Sequence, residues 1–576
     1  MANYTLRADG TAANKAAAED GDPSVASECM SIATHNSQTF SAGDRIQLAD
    51  DGGDYRGTRL DAPSSGSVGS PIVYEAYSGD TPILNGSTDV TSASYKWTAS
   101  GSGTNEYYLE AAAGGDPSLT REPDQAFMDG VFLTIGTVGS LADHEWDWGD
   151  NDSLGFSTVY VRDESGDPDV SGVQIEVDQN ACMYVYGKDY ITVDGLTFKH
   201  AHIVDYIGGF MCSGDAQHVI VQNCEAHYCN GHGIMIKGDY CTIDNCVAAN
   251  CGAHGLGAGG FLGNHSTNMV VKNSTAYNTR TIGYVGQDPY DGYGIKFLWC
   301  DDSDIHNCEA YGCNLEGINL DGSLNDEEGC LRCDVYENDV HNNMQQGILV
   351  ELFSDDCRLF RNRVYDNQEY SGTPPGEIGL TNVEGTEVFG NVIYRTEAAG
   401  GANAKALYII DYNPGRGNAC NTLIYGNTFD GGGYWQHVVV ADGYDIVEGM
   451  QVFNNVFSDF TGYALALTGQ DYTGFDADYN VYQADDANAT VIIYESFNTY
   501  TVVTGGTGTW YTSAGFGENS KNAAPNFTNK GSQNFELASN SPAVNSGTDL
   551  GSPYNEAVMP GSSWPDGVVT GDQGDY

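Results

Sequence analysis

Basic residues are scarce in this sequence: 23 Lys and Arg stand against 79 Asp and Glu, a net charge of −56 over 576 residues. A surface so acidic repels phosphate backbones, which argues against nucleic acid as a partner. Long apolar runs are missing too. Nothing approaches the roughly eighteen residues that a spanning helix needs, so no membrane insertion is expected. Heptad stretches are absent, so nothing here specifies a coiled-coil oligomer. The opening segment MANYTLRADGTAANK has no basic start followed by an apolar stretch, so no signal peptide is visible. An even cysteine count is lacking as well. With 15 Cys, at least one is unpaired within the chain.

Glycine and tyrosine are abundant. The 74 Gly and 37 Tyr suit turn-rich β structure and not helical bundles. Length alone suggests about three or four domains, but internal repeats override that prior, because each added coil of a solenoid extends one continuous core. Short β-rich runs align on a recurring turn residue: VIVQNCEA, CTIDNCVA, MVVKNSTA, SDIHNCEA, CRLFRNRV, TEVFGNVI, TLIYGNTF and MQVFNNVF. The turn positions are Asn223, Asn245, Asn273, Asn307, Asn362, Asn391, Asn427 and Asn455, with Arg332 between Asn307 and Asn362 and Gly195 one coil earlier. Asn tolerates left-handed backbone angles, and its amide can bond to the amide one coil on, so these positions predict a stacked ladder. Cys224, Cys246, Cys308 and Cys333 follow the turn, and Cys229, Cys251 and Cys313 come five residues later. Repetition in register predicts inward stacks of thiols that behave as small hydrophobes, not disulfides or a zinc site.

These repeats resemble the right-handed parallel β-helix of the pectin-lyase-like superfamily. The flanks carry the same likeness. FSAGDRIQLADDGGDYRG (40–57) resembles a first coil, STVYVRDESGDPDVSGVQIEV (157–177) a strand pair before the central coils, and NFELASNSPAVNSG (534–547) a closing coil. The resemblance implies an all-β solenoid with capped ends. Residues 1–180 are expected to form an N-terminal cap and first coils with an inserted β segment around 96–156. Residues 181–470 are expected to form the central helix, and 471–576 the C-terminal coils and a capping or oligomerisation region. The superfamily spans polysaccharide lyases, glycoside hydrolases, epimerases, phage tailspikes and inert scaffolds, so the fold does not decide the activity. The resemblance implies an extracellular or virion-associated protein: either a leader was removed, or, as for a phage structural protein released by lysis, none was used, and a homotrimer or virion assembly is the corresponding quaternary expectation.

Chemistry concentrates beside one strand of each coil. GIMIK (233–237), GLGAG (255–259), GIKFL (294–298), GINLD (317–321) and GILVE (347–351) are in register. Alternation sends Ile234, Ile236, Ile295, Phe297, Ile318, Leu320, Ile348 and Val350 inward. The outward positions then carry Lys296 and Asn319 in one column, and Lys237, Asp321 and Glu351 in the other. His232, His254, Tyr293, Glu316 and Gln346 stand just before the glycines. Neighbouring coils are about 4.8 Å apart, so these side chains share one patch. Glu316, Asp321 and Glu351 suit acid and base roles in glycoside hydrolysis. Lys296, with Lys237, His232 and His254, suits lyase chemistry, in which a base removes a proton beside a carboxylate that a cation neutralises. Tyr293 and Asn319 are candidate substrate contacts. Charged outward positions are also what any solvated β-helix carries, and a non-catalytic spacer or adhesion protein remains the contrasting class.

The partner these residues suggest is a polysaccharide or cell-surface glycan. Acidic turns at 50–54, 321–329 and 476–480 offer carboxylates for calcium, with Asp50, Asp51, Asp54, Asp476 and Asp478 as candidate ligands. None has EF-hand spacing, and no organic-cofactor motif is present. Tyr284, Tyr290, Tyr293, Trp299, Tyr434 and Trp435 are candidates for stacking on sugar rings.

Overall fold

The structure is a computed structural model. It describes residues 1–550 except 92–94, 102, 110–118, 120–121, 152–155, 203–206, 261–262, 281–291, 324–325, 369–375, 397–404, 412–420, 433–436, 444–447, 468–471, 484–489, 495–497, 545 and 549. The chain divides into two compact units, Met1–Gly257 with Asn278–Gly292, and Ala258–Tyr277 with Tyr293–Tyr576. The described helices are a few short turns.

In the second unit each coil contributes three short strands to three parallel sheets. The first sheet includes Val270–Lys272, Asp304–His306, Asp334–Tyr336, Arg358–Phe360 and Glu387–Phe389, paired in that order. Another includes Thr275–Tyr277, Glu309–Tyr311, Asp339–His341, Arg363–Tyr365 and Val392–Tyr394. The sheet that carries the candidate chemistry includes Ile295–Leu298, Ile318–Asp321, Ile348–Glu351, Ile378–Thr381 and Leu407–Asp411. The first unit repeats the scheme. Met183–Tyr186 pairs with Phe210–Gln217 and then Ile234–Asp239, and Ile191–Asp194 pairs with Val219–Gln222 and then Thr242–Asp244.

Alternation along three-residue strands puts one apolar side chain inside per strand, so Ile305, Val335, Leu359 and Val388 stack as one column with no exposed surface. The outward neighbours also stack. His306, Tyr336, Phe360, Phe389 and Tyr425 lie face to face with centroids 4.7–4.9 Å apart. Tyr277, Tyr311, His341, Tyr365 and Tyr394 form a second such ladder. The parallel register of identical positions makes ring-on-ring stacking the default.

The predicted Asn ladder exists, but it is two ladders one residue apart. Asn307, Glu337, Arg361 and Asn454 turn the chain with positive φ. The residue after each points inward. Cys308 donates its backbone N–H to Asn338 Oδ1, and buried Asn338, Asn362, Asn391, Asn427, Asn455 and Asn480 continue the run, amide to amide at 2.9–3.1 Å. In the first unit the ladder is on the turn residues themselves, with Asn245 Nδ2 donating to Asn223 Oδ1 at 2.7 Å. Asn362, Asn391, Asn427 and Asn455 are therefore inner residues, equivalent to Cys308 and not to Asn307. Arg332 is not in this turn either. Its backbone N–H bonds to Asp355 O at the corner before Asp334–Tyr336, and Glu337 occupies the expected place. A one-residue offset reverses inside and outside.

The 14 described cysteines are buried thiols outside any disulfide, among them the seven whose register predicts inward stacks. The inserted segment is larger than 96–156. An antiparallel sheet of Trp97–Ala99, Glu106–Leu109, Phe156–Arg162 and Glu145–Asn151 stands beside a second one built from Ser87–Asp89, Ile175–Asp178 and Ala126–Met128. Near the C-terminus, Phe527–Asn529 and Asn534–Leu537 pair antiparallel as a hairpin that lies on the outer side of the coils, with Phe535 against Tyr394 and Val392.

Candidate active site

The rungs Ile295–Leu298, Ile318–Asp321 and Ile348–Glu351 hold the second unit's candidate residues. Their alternate positions Ile295, Phe297, Ile318, Leu320, Ile348 and Val350 are fully buried, which fixes the side to which the polar positions point. Lys296 aligns with Asn319, and Leu298 with Asp321. Glu351 aligns with Thr381 one coil further on.

The polar positions were expected on a solvated outer face. They are instead largely covered: Lys296, Glu316, Asn319, Tyr293 and Gln346 are buried, and Asp321 and Glu351 are half-buried. Pairing among themselves makes this possible, since a buried charge is tolerable only beside a partner. Lys296 Nζ lies 2.7 Å from Asp321 Oδ2 and 4.0 Å from the centre of the Tyr293 ring. Asp321 Oδ1 accepts the Gly322 N–H at 2.7 Å. Asn319 Nδ2 donates to Glu351 Oε1 at 3.1 Å. One lysine faces three carboxyl groups, so negative charge is in excess. Burial, reinforced by Asp321 and Glu316, pushes the Glu351 carboxyl up to about 8 against the opposing pull of Asn319 and Lys296. Burial, with Asp321 again adding, pushes Glu316 up to about 7. The site thus sets an ion-paired carboxylate beside a carboxyl group that holds a proton near neutrality.

The first unit holds its own candidates. His232 and His254 are buried on neighbouring coils, ring centroids 4.7 Å apart. Lys237 is half-buried, and burial lowers its affinity for a proton. The acidic turns serve local structure. Asp54 accepts from Arg56 and Asn85, Asp50 from the Thr81 N–H, Asp476 from the Ala477 N–H, and Asp478 from the Tyr479 N–H and from Asn519. Asp50, Asp51, Asp54, Asp476 and Asp478 are not gathered into any three-ligand group among the described residues. Tyr284, Tyr290, Tyr434 and Trp435 lie outside the described residues.

The family described as a right handed beta helix region matches residues 157–285 and 208–373. The fold of this chain is a right-handed parallel β-helix. Among solved structures, the β-helix protein is similar to one described as a glycoside hydrolase, with 11% identity over 75% of this chain and 97% of that chain and a TM-score of 0.51. It is similar to XylC, solved with xylose, at 14% identity over 86% and 88% of the two chains, TM-score 0.48. The A-module of a mannuronan C-5 epimerase from Azotobacter vinelandii matches at 13% identity over 82% and 88%, TM-score 0.40. No curated protein matches it in sequence. At these identities the likeness is one of fold.

Two polar groups escaped the sequence reading. Glu377 and Arg395 form an ion pair at 3.0 Å, each side chain about 1% exposed. Glu377 also accepts from the Asn367 backbone and amide at 3.1 and 2.8 Å, ending a second inner Asn run. Its signal was visible: in GEIGL, Glu377 stands where the three preceding coils have Gly294, Gly317 and Gly347. In the first unit, Asp124, Asp178 and His202 converge from segments far apart in sequence, which no local spacing announces.

Proposed function

We propose that this β-helix protein binds a polysaccharide along the sheet of Ile295–Leu298, Ile318–Asp321 and Ile348–Glu351 and hydrolyses its glycosidic bonds. The observation that carries the reading is the pairing on adjacent coils of Asp321, ion-paired to Lys296, with Glu351, pushed up to about 8. Glycoside hydrolysis needs two carboxyl groups in opposite protonation states. Glu351 is the acid. It gives its proton to the departing glycosidic oxygen while an Asp321 carboxylate oxygen attacks the anomeric carbon. The C–O bond breaks, and a glycosyl ester forms on Asp321. Glu351, now the carboxylate, takes a proton from water, whose oxygen displaces Asp321 and restores both groups. Strands on adjacent coils are about 4.8 Å apart, which favours the roughly 5–5.5 Å carboxyl separation of retaining enzymes over the longer gap of inverting ones. Lys296 holds Asp321 in place, and Glu316 adds the negative potential that keeps Glu351 protonated.

The carbohydrate-directed descriptions of the similar structures agree with a sugar polymer as ligand, and a neutral glycan suits a site with excess negative charge. The test incubates the purified chain with a panel of neutral and acidic polysaccharides, with and without a calcium chelator. New reducing ends without ultraviolet absorbance support hydrolysis, and loss of those ends in Glu351→Gln supports the assignment. Absorbance from unsaturated ends would replace this reading with a lyase centred on Lys296. Binding without any product across the panel would replace it with a non-catalytic glycan-binding or structural protein.

A further inference from the structure

Asp124, Asp178 and His202 belong to the first unit, whereas the carboxylates assigned to hydrolysis belong to the second. Asp124 belongs to the insertion, just before the strand Ala126–Met128. Asp178 ends the strand Ile175–Asp178, and His202 follows the coil strand Thr197–Lys199. One oxygen of each carboxylate and the imidazole Nδ1 all lie within 4.8 Å of one another. Nδ1 is 2.9 Å from Asp178 Oδ2 and 3.2 Å from Asp124 Oδ2.

Hydrogen bonding alone accounts poorly for this arrangement. Nδ1 carries at most one hydrogen in either protonation state of the ring, yet it faces two carboxylate oxygens at bonding distance. Asp178 is fully buried, and its other oxygen accepts the backbone N–H groups of Asp124 and Gln125 at 2.8 and 2.9 Å. Those bonds aim Oδ2 at the cluster, as outer-shell partners aim ligands at a metal. Asn230 Nδ2, also fully buried, donates to Asp124 Oδ2 at 2.6 Å and fixes the second carboxylate in the same way. The spacing suits a cation. Bonds of about 2.0–2.2 Å in tetrahedral geometry put ligand atoms roughly 3.3 Å apart.

We propose that Asp124, Asp178 and His202 form a binding site for one divalent transition-metal ion of the zinc class, which ties the insertion to the adjoining coils. One imidazole nitrogen with two carboxylate oxygens matches zinc and its first-row neighbours, whereas calcium takes six to eight oxygens. Three ligands leave a fourth position for water, and the role assigned is structural.

The test uses the folded full chain, stripped with a chelator and titrated with Zn2+ by calorimetry, with bound metal measured after dialysis. One equivalent is expected, with a rise in Tm. Asp124→Asn and His202→Ala, each shown by circular dichroism to keep the fold, should weaken binding at least about tenfold. Cobalt(II) is the second probe. Because 14 cysteines are buried thiols, a sulfur-to-cobalt charge-transfer band would reveal thiolate ligands and overturn the assignment. So would the absence of zinc binding by the folded wild-type chain, or unchanged affinity in both variants. Hydrolytic activity enters none of these readouts, so either proposal can fail without the other.

Discussion

Replacing Glu351 by Gln should remove activity and stabilise the protein, and the second effect should grow as pH rises from about 4.5 to about 8. The Glu351 carboxyl moves from its ordinary 4.5 up to about 8, chiefly through burial. At about 1.4 kcal/mol for each pH unit, the ceiling is about 5 kcal/mol. The side chain keeps some exposure and shares its repulsion with Asp321 and Glu316, so about 2–3 kcal/mol is the expected size. The sign follows from proton linkage. A carboxyl raised in the folded state holds a proton that the unfolded chain has released, so its contribution is complete below pH 4.5 and is lost as pH climbs through 8. Gln cannot ionise and suffers no such loss. Urea unfolding at pH 5, 6.5 and 8 should therefore show wild type and variant nearly equal at pH 5 and the variant about 2–3 kcal/mol more stable at pH 8. Reducing-end release should fall about 10²–10⁴-fold, the usual contribution of a positioned general acid, and wild-type kcat/KM should decline as pH rises through about 8. A stability difference that stays flat from pH 5 to 8 would refute the electrostatic account of this site. Full activity in the variant would remove Glu351 from the chemistry.

Ile318→Asp puts a charge in the fully buried column beneath Asn319 and should cost at least about 3 kcal/mol; an unaltered melting temperature would refute the strand register. Asn391→Ala should cost about 2–4 kcal/mol in chemical denaturation, because the Asn362 N–H and amide and the Leu359 carbonyl all lose their partner. A loss below about 1 kcal/mol would show that the inner ladder adds little beyond packing. The 14 buried thiols should resist a disulfide-exchange reagent in the native state and react together on unfolding; rapid native labelling of Cys224 or Cys246, identified by mass spectrometry, would contradict their inward orientation.

Much of this architecture is written locally, and that part is readable. The Gly-Ile strands from 294 to 351 announce themselves by alternation, and the apolar side chains sent inward are fully buried. The turn register was harder. Asn307 and Asn362 both stand near the end of a short strand and both are Asn, but one needs left-handed backbone and the other a buried amide partner. Asn satisfies either demand, so residue identity could not separate them. Cys308 beside Asn307, and Arg361 and Gly390 just before Asn362 and Asn391, were the clues that the alignment lay one residue off.

Burial of the candidate site was illegible for a different reason. An outward position on a solenoid says where a side chain points, not what lies over it. Clustering of Glu316, Asp321 and Glu351 on adjacent coils already implies that one carboxyl is pushed by its neighbours to hold a proton, but it does not reveal how far burial adds to that push. The structure packs Lys296 against Tyr293 and Asp321, and Asn319 against Glu351, and the shielding from water is what chiefly pushes Glu316 and Glu351 up towards neutrality. A solenoid built from near-identical rungs needs no such group of charges. Neighbouring rungs carry Leu349 and Gly379 in the column that holds Lys296 and Asn319. Concentrating one cation and three carboxyl groups on three coils costs stability at pH 8, where apolar residues would not. That local departure from the repeat, more than any single residue, sets these three rungs apart from their neighbours.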